Sequence, residues 1–193
     1  MSNDEDLIAA SRRDPAAFEP LVERHGAAVH AYLARRTSVA DADDLLADVW
    51  LAAFASRTSF DPGLGPFRGW LFGVARHVLL AHVRRVRRNG RATDLGPAVG
   101  DETWEATDAR LDAAATAPAL RAALAALPTV ERDLLLLVAW EQLTPAEAAR
   151  ALDIPAGTAR SRLHRARRGM SEHLAAHGQV PDDGSAGPRG AER

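Results

Sequence analysis

The stretch IPAGTARSRLHRARRGM, Ile154 to Met170, holds five arginines and no acidic residue. A guanidinium presents a planar fork of N–H donors that matches a phosphate or the edge of a guanine. In TPAEAARALDIPAGTARSRLHRARRGMSEHL the pattern is helix, short turn, helix, the architecture of a DNA-reading helix-turn-helix. Ala146, Ala149 and Leu152 face inward on the first helix, Asp153-Ile154 makes the turn, and Pro155 starts the second. Ala159, Leu163, Ala166, Met170 and Leu174 then recur at helical spacing as a buried stripe. Arg160, Ser161, His164, Arg165 and Arg168 share the opposite face, and Arg162 and Arg167 flank it, placed for phosphates. A run of charge is usually a solvated surface, but such surfaces mix signs and follow no helix-turn pattern. Alone, this motif implies duplex DNA binding and nothing narrower.

A second basic stretch has a different character. FDPGLGPFRGWLFGVARHVLLAHVRRVRRNGR combines arginines with aromatic rings. Val74, Ala75, Val78, Leu79 and Val83 form a broad buried arc, and Arg76, His77, Arg84 and Arg88 lie on the other. Phe60, Phe67 and Trp70 sit in or beside the loop that precedes the helix. Rings beside a cationic groove suit unpaired bases, which expose their faces for stacking. Phe67 and Phe72 read as core; Phe60 and Trp70 are the candidates for stacking. His77 and His82 lack partners at metal-ligand spacing, and no metal site or cofactor is expected.

A third stretch, DADDLLADVWLAAF, sets the apolar stripe Leu45, Val49 and Ala53 beside Asp41, Asp43, Asp44 and Asp48. Clustered carboxylates can hold a cation or exchange protons, but no glycine-bearing ligand loop or positioned histidine accompanies them. An acidic helix for a basic protein partner is the better reading.

These stretches sit in a chain of 193 residues, 47% apolar and 26% charged, enough for one domain or two small ones. The acidic start MSNDEDLIAAS has no basic region of a secretory signal, and the longest apolar run of interest, Leu134 to Trp140, is too short for a membrane span. The chain has no cysteine, which removes disulfides and thiolate chemistry and fits a cytoplasmic protein. Charge is blocked along the chain. Residues 66–91 carry seven Arg and no acid, and residues 154–173 carry a net +4, between acidic segments. Two separate anionic contacts follow from that pattern.

Nearly every periodic stretch reads as helix, so the expected fold is all-α. The expected helices are Asp4 to Arg13, Pro15 to about Arg36 (kinked or delayed by Pro20), Ser38 to Arg57, Phe67 to Arg88, Ala119 to Leu127, Pro128 to Glu141, Pro145 to Leu152 and Pro155 to about Ala176. Two small helical domains, residues 1–91 and 118–177, would be joined by a flexible acidic linker, 92–117, and followed by a disordered tail, 178–193. The second domain carries the helix-turn-helix.

In order along the chain, DADDLLADVWLAAF, PFRGWLFGVARHVLLAHVRR and ALAALPTVERDLLLLVAWEQLTPAEAARALDIPAGTARSRLHRAR resemble the signature segments of extracytoplasmic-function sigma factors. These are the two-domain branch of bacterial RNA polymerase initiation factors. The resemblance implies that the helix with Asp41, Asp44, Leu45, Asp48 and Val49 binds the clamp helices of core polymerase. It implies that Phe60 to Arg88 melts and reads the minus-ten element of promoter DNA, with Phe60, Trp70, Arg76, His77, Arg84 and Arg88 as contacts. It puts the minus-thirty-five readers on Arg160, Ser161, His164 and Arg165. Family members often carry Asn where His77 stands, and Gly where Asp153 stands. Most relatives are restrained by an anti-sigma partner. The family's two promoter elements lie about two DNA turns apart, on the order of 70 Å. Residues 89–117 reach about 100 Å fully extended and about 30 Å as a free coil, so the linker must be drawn out.

Two other classes compete. A helix-turn-helix regulator would bind duplex DNA tightly without polymerase, but has no need of the aromatic–basic block. A carboxylate-dependent nuclease would rest on the aspartates around Asp44 and lose cleavage in Asp44→Ala. The main expectation is a non-enzymatic initiation factor.

Overall fold

The structure is a computed structural model that describes residues 3–88 and 117–176. Most of the acidic linker and the tail fall outside the described residues. Helix is the regular structure throughout the described residues, as the periodicity predicts.

The first element, α1 (Asp4–Ala10), is capped by the Asn3 side chain, which accepts from the Asp6 amide at 2.7 Å. It ends three residues before the expected Arg13. Asp14 precedes Pro15 and must be extended (φ −122°, ψ 103°), so the chain leaves the helix early, with the Ser11 hydroxyl donating to the Ile8 carbonyl at 2.7 Å. Pro15–Phe18 forms one 3-10 turn, and α2 (Glu19–Ala34) begins beyond it. Pro20 falls in the first turn of α2, where its missing N–H costs nothing, so it delays the helix without kinking it. Ser38 caps α3 (Val39–Ser56) by accepting from the Asp41 amide. After two short 3-10 turns, α4 runs from Phe67 to Arg88.

The second group comprises α5 (Ala117–Ala125), α6 (Thr129–Ala139), α7 (Pro145–Ala151) and α8 (Ala156–Ala176). A reciprocal capping box starts α7: Thr144 Oγ1 accepts from the Glu147 amide, and the Glu147 carboxylate accepts from the Thr144 amide at 2.7 Å. Helix α6 stops two residues before the expected Glu141, and Gln142 turns the chain with a left-handed φ of 54°.

The two helical groups are present, but they do not stand apart. One continuous core runs from Leu21, Leu45 and Phe72 to Leu134, Leu143 and Ala148 of the second group. A smaller core of Leu124, Leu127, Leu136 and Met170 lies within the second group alone. The junction is the crossing of α4 over α7. Gly69 makes it possible: a Cβ there would lie 2.6 Å from the Glu147 carbonyl oxygen and 2.8 Å from its Cα. Gly73, one turn on, faces Ala151 at ordinary contact distance. Among the described residues no helix is long and apolar enough to cross a membrane.

Candidate nucleic-acid interface

Helix α8 is aimed by the turn before it. Leu152 ends α7, Asp153 adopts a left-handed φ of 53°, and the Ile154 amide donates to the Ala149 carbonyl at 3.0 Å. Asp is among the few non-glycine residues that enter this region at modest cost. The stripe Ala159, Leu163, Ala166 and Met170 is buried against the rest of the protein. Its opposite face is open: Arg160, Ser161, His164, Arg165, Arg167 and Arg168 are exposed, and Arg162 is half-buried. Arg165 Nε donates to Glu131 Oε1 at 3.0 Å, which orients that guanidinium, while Arg168 pairs with Glu172 one turn along at 3.5 Å. Ser161 donates to the Thr158 carbonyl at 3.0 Å. Arg167 leans over an apolar groove of about 340 Å³ floored by Leu124, Leu136, Trp140 and Met170.

Helix α4 presents its basic block otherwise. Phe60 and Trp70, candidates for stacking on bases, are buried, at 4% and 8% exposure. They form an aromatic triangle with Phe67, with ring centres 5.6 to 5.9 Å apart. Arg12 pins this corner by donating to the Phe60 carbonyl at 2.8 Å. The expectation of two free stacking rings is therefore corrected: edge-to-face packing satisfies them inside the protein. Arg76 is half-buried and donates to Asp133 of α6 at 3.2 Å. His77, Arg84 and Arg88 are exposed. His77 borders a cleft of about 510 Å³ whose far wall is Arg150, Ala151, Leu152 and Asp153.

Beside this junction, several arginines of the first half reach acceptors of the second. Arg68 donates to the carbonyls of Glu141 and Gln142 at 2.6 and 3.0 Å. Arg35 and Arg36 both engage the Glu141 carboxylate, the latter at 2.9 Å with only 6% of Arg36 exposed. Arg36 also lies 4.1 Å above the Tyr32 ring. Burial pushes the Tyr32 hydroxyl up to about 12, so it stays neutral. Burial likewise raises the Asp133 carboxyl above its ordinary value, against the lowering pull of Arg76.

On α3 the expected partner face divides. Asp44 and Asp48 are exposed and Asp41 half-buried, but Leu45 and Val49 are sealed in the core, at 2% and 0% exposure. That corrects their assignment as polymerase contacts, because the stripe that packs a helix on its own domain cannot also meet a partner. Besides Val39 at its start, the large apolar residue that α3 presents is Leu51, 70% exposed. It stands off the Leu45–Val49–Ala53 stripe, so the helical wheel could have found it. The seam residues Gly69, Asp133 and Glu141 left no such sign, since nothing local marks a glycine or a carboxylate for a distant helix. Among the described residues no three His, Asp or Glu side chains gather where they could hold a metal ion.

Residues 21–89 match the family Sigma-70 region 2, and residues 118–170 match Sigma-70, region 4. The sigma factor SigM of Mycobacterium tuberculosis is 34% identical over 90% of this chain and 85% of its own length. SigE of Mycolicibacterium smegmatis is 31% identical over 83% of this chain, which spans only 63% of that relative. Among solved structures, CnrH in complex with the cytosolic domain of CnrY is 28% identical and superposes with a TM-score of 0.58, covering 90% of this chain and 97% of CnrH.

Proposed function

The chain belongs to the extracytoplasmic-function sigma factors, the initiation factors of bacterial RNA polymerase, and from that membership we propose how its surfaces divide the work. As a sigma factor it binds core polymerase and directs promoter recognition, strand opening and initiation. In our reading it makes and breaks no bond, and acts through binding alone.

The exposed face of α8 reads the minus-thirty-five element in the major groove, through Arg160, Ser161, His164, Arg165 and Arg168. Arg162 and Arg167 hold the flanking phosphates. The exposed side of α4, with His77, Arg84 and Arg88, takes the melted minus-ten strand. Arg76, half-buried against Asp133, borders this surface. Asp41, Asp44, Asp48 and Leu51 on the outer face of α3 meet the polymerase clamp. The domain limits proposed are 1–91 and 118–177. CnrH is held by the cytosolic domain of CnrY, and a comparable anti-sigma partner is proposed for this chain.

The observation that carries the reading is the open arginine face of α8, set by the left-handed turn at Asp153. The test is selection of promoter DNA from a random duplex library, by the chain alone and with core polymerase. Two sequence blocks about two turns apart, recovered only with polymerase, support the reading. A single block recovered equally well without polymerase would make the protein an ordinary duplex-binding regulator.

A further inference from the structure

We propose that α1 and the turn after it, residues 3–14, form a bracket that fixes the loop 57–66 for the melted minus-ten strand, with Glu5 and Arg12 as its positioning residues. The proposal rests on the minus-ten reading of Phe60 to Arg88 above, and three observations carry it.

The first is the set of bonds between bracket and loop. At the near end two arginines are exchanged. Arg12 Nη2 donates to the Phe60 carbonyl at 2.8 Å, and Arg57 Nε donates to the Ser11 carbonyl at 3.2 Å. At the far end the Phe67 amide donates to Glu5 Oε1 at 3.3 Å. Phe67 is the first residue of α4, so Glu5 takes one of the amides that a helix start leaves without a partner inside the helix. Each of these bonds ends on a main-chain atom, so together they hold the path of the loop at both ends.

The second is that the bracket has its own footing. Ile8 is sealed in the core, and Asp4 pairs with Arg24 and, at 2.7 Å, with His25 of α2. Helix α1 is thereby tied to α2 independently of the loop.

The third is that the loop is open between its anchored ends. Ser59, Asp61, Gly63 and Leu64 are exposed, and the Asp61 carboxylate orders the tip by accepting from the Gly63 amide at 2.8 Å. A loop whose ends are fixed before the strand arrives bears less ordering cost on binding.

Glu5 separates positioning from plain electrostatics. A carboxylate repels DNA, so its removal would tighten DNA binding if charge alone mattered. The bracket predicts the opposite sign.

The experiment uses the full-length chain with core polymerase. It reads promoter selection from a random duplex library and, on the promoter that the wild type selects, strand opening by 2-aminopurine fluorescence in the minus-ten strand. Arg12→Ala and Glu5→Ala should each flatten the base preference of the minus-ten block and lower opening roughly threefold to tenfold, the worth of one net hydrogen bond. The minus-thirty-five block and the affinity for polymerase should not change. Glu5→Gln keeps the accepting oxygen and drops the charge, and should restore both readouts. Arg13→Ala removes the same charge from the exposed neighbour and should behave as wild type.

An unchanged minus-ten profile in Arg12→Ala and Glu5→Ala would overturn the bracket. So would tighter DNA binding by Glu5→Ala, or losses at both promoter blocks together, the mark of general destabilisation. Equal losses in Arg12→Ala and Arg13→Ala would make both residues phosphate contacts instead. A Glu5→Gln variant that behaves as the alanine would remove Glu5 from the bracket. A wild type that selects no minus-ten block would sink the minus-ten reading itself.

Discussion

The basic blocks on α4 and α8 look alike in the sequence: an apolar stripe on one side of a helix and arginines around the rest. In the folded chain they behave differently. Helix α8 keeps most of its arginines in solvent, where Arg165 pairs with the half-buried Glu131 and Arg168 with the exposed Glu172. Helix α4 turns Arg68 and Arg76 onto acceptors of the second half and buries Phe60 and Trp70 in its own core. A cationic helix face states that it needs anions; it does not state whose. For α8 the anion is left to a partner. For α4 the chain supplies part of it.

Several variants would break or sharpen this contrast. The largest effect should come from Glu141→Ala. It strips the carboxylate shared by Arg35 and Arg36 and leaves Arg36 buried without its counter-ion, a loss of about 3–5 kcal/mol in stability by chemical unfolding. Arg168→Ala on α8 should cost less than about 0.5 kcal/mol by the same assay, because its pair with Glu172 is solvent-exposed. Equal losses in the two variants would erase the distinction between the blocks.

The corrected reading of α3 gives a paired test. Leu45→Asp puts a charge into a sealed core and should destabilise the protein by more than about 3 kcal/mol. Leu51→Asp should leave the melting temperature unchanged and weaken polymerase binding in a fluorescence-anisotropy titration. Polymerase binding that survives Leu51→Asp would remove this face from the proposed interface.

Arg165→Ala should weaken discrimination among minus-thirty-five sequences by about 1–3 kcal/mol, read as a shift in the selected promoter profile, with stability little changed. An unchanged profile would assign Arg165 to the Glu131 pair and not to a base.

The smallest effect concerns pH. Burial raises the folded-state pKa of Asp133 above its unfolded value. Its contribution to stability is therefore fully present below the unfolded pKa and is lost as pH rises through the folded one. Relative to wild type, Asp133→Asn should gain stability as pH rises through that window. A relative loss would mean that Arg76, with Arg36 and Arg132 behind it, outweighs burial.

Legibility followed the range of the physics. Helix positions came through because capping and periodicity are local: Asn3, Ser38 and Thr144 cap where their side chains can accept the next free amide. The outward face of α8 was equally readable, since its buried stripe and its arginines belong to one helix with solvent opposite. The turn at Asp153 could be anticipated because Asp tolerates a left-handed φ. Phe60, Trp70, Leu45 and Val49 were misplaced for a common reason. An apolar side chain satisfies a partner and a core equally well, and composition does not choose between them.

By itself, then, the sequence determined the helices, the all-α class and an arginine face facing water, because each depends on contacts within about one helical turn. Only the tertiary structure decided that the two halves share a core, that Gly69 lets α4 meet α7, and that Asp133 and Glu141 hold the first half's arginines. Those pairings join residues 57 to 106 positions apart, and no local rule selects one distant acid over another.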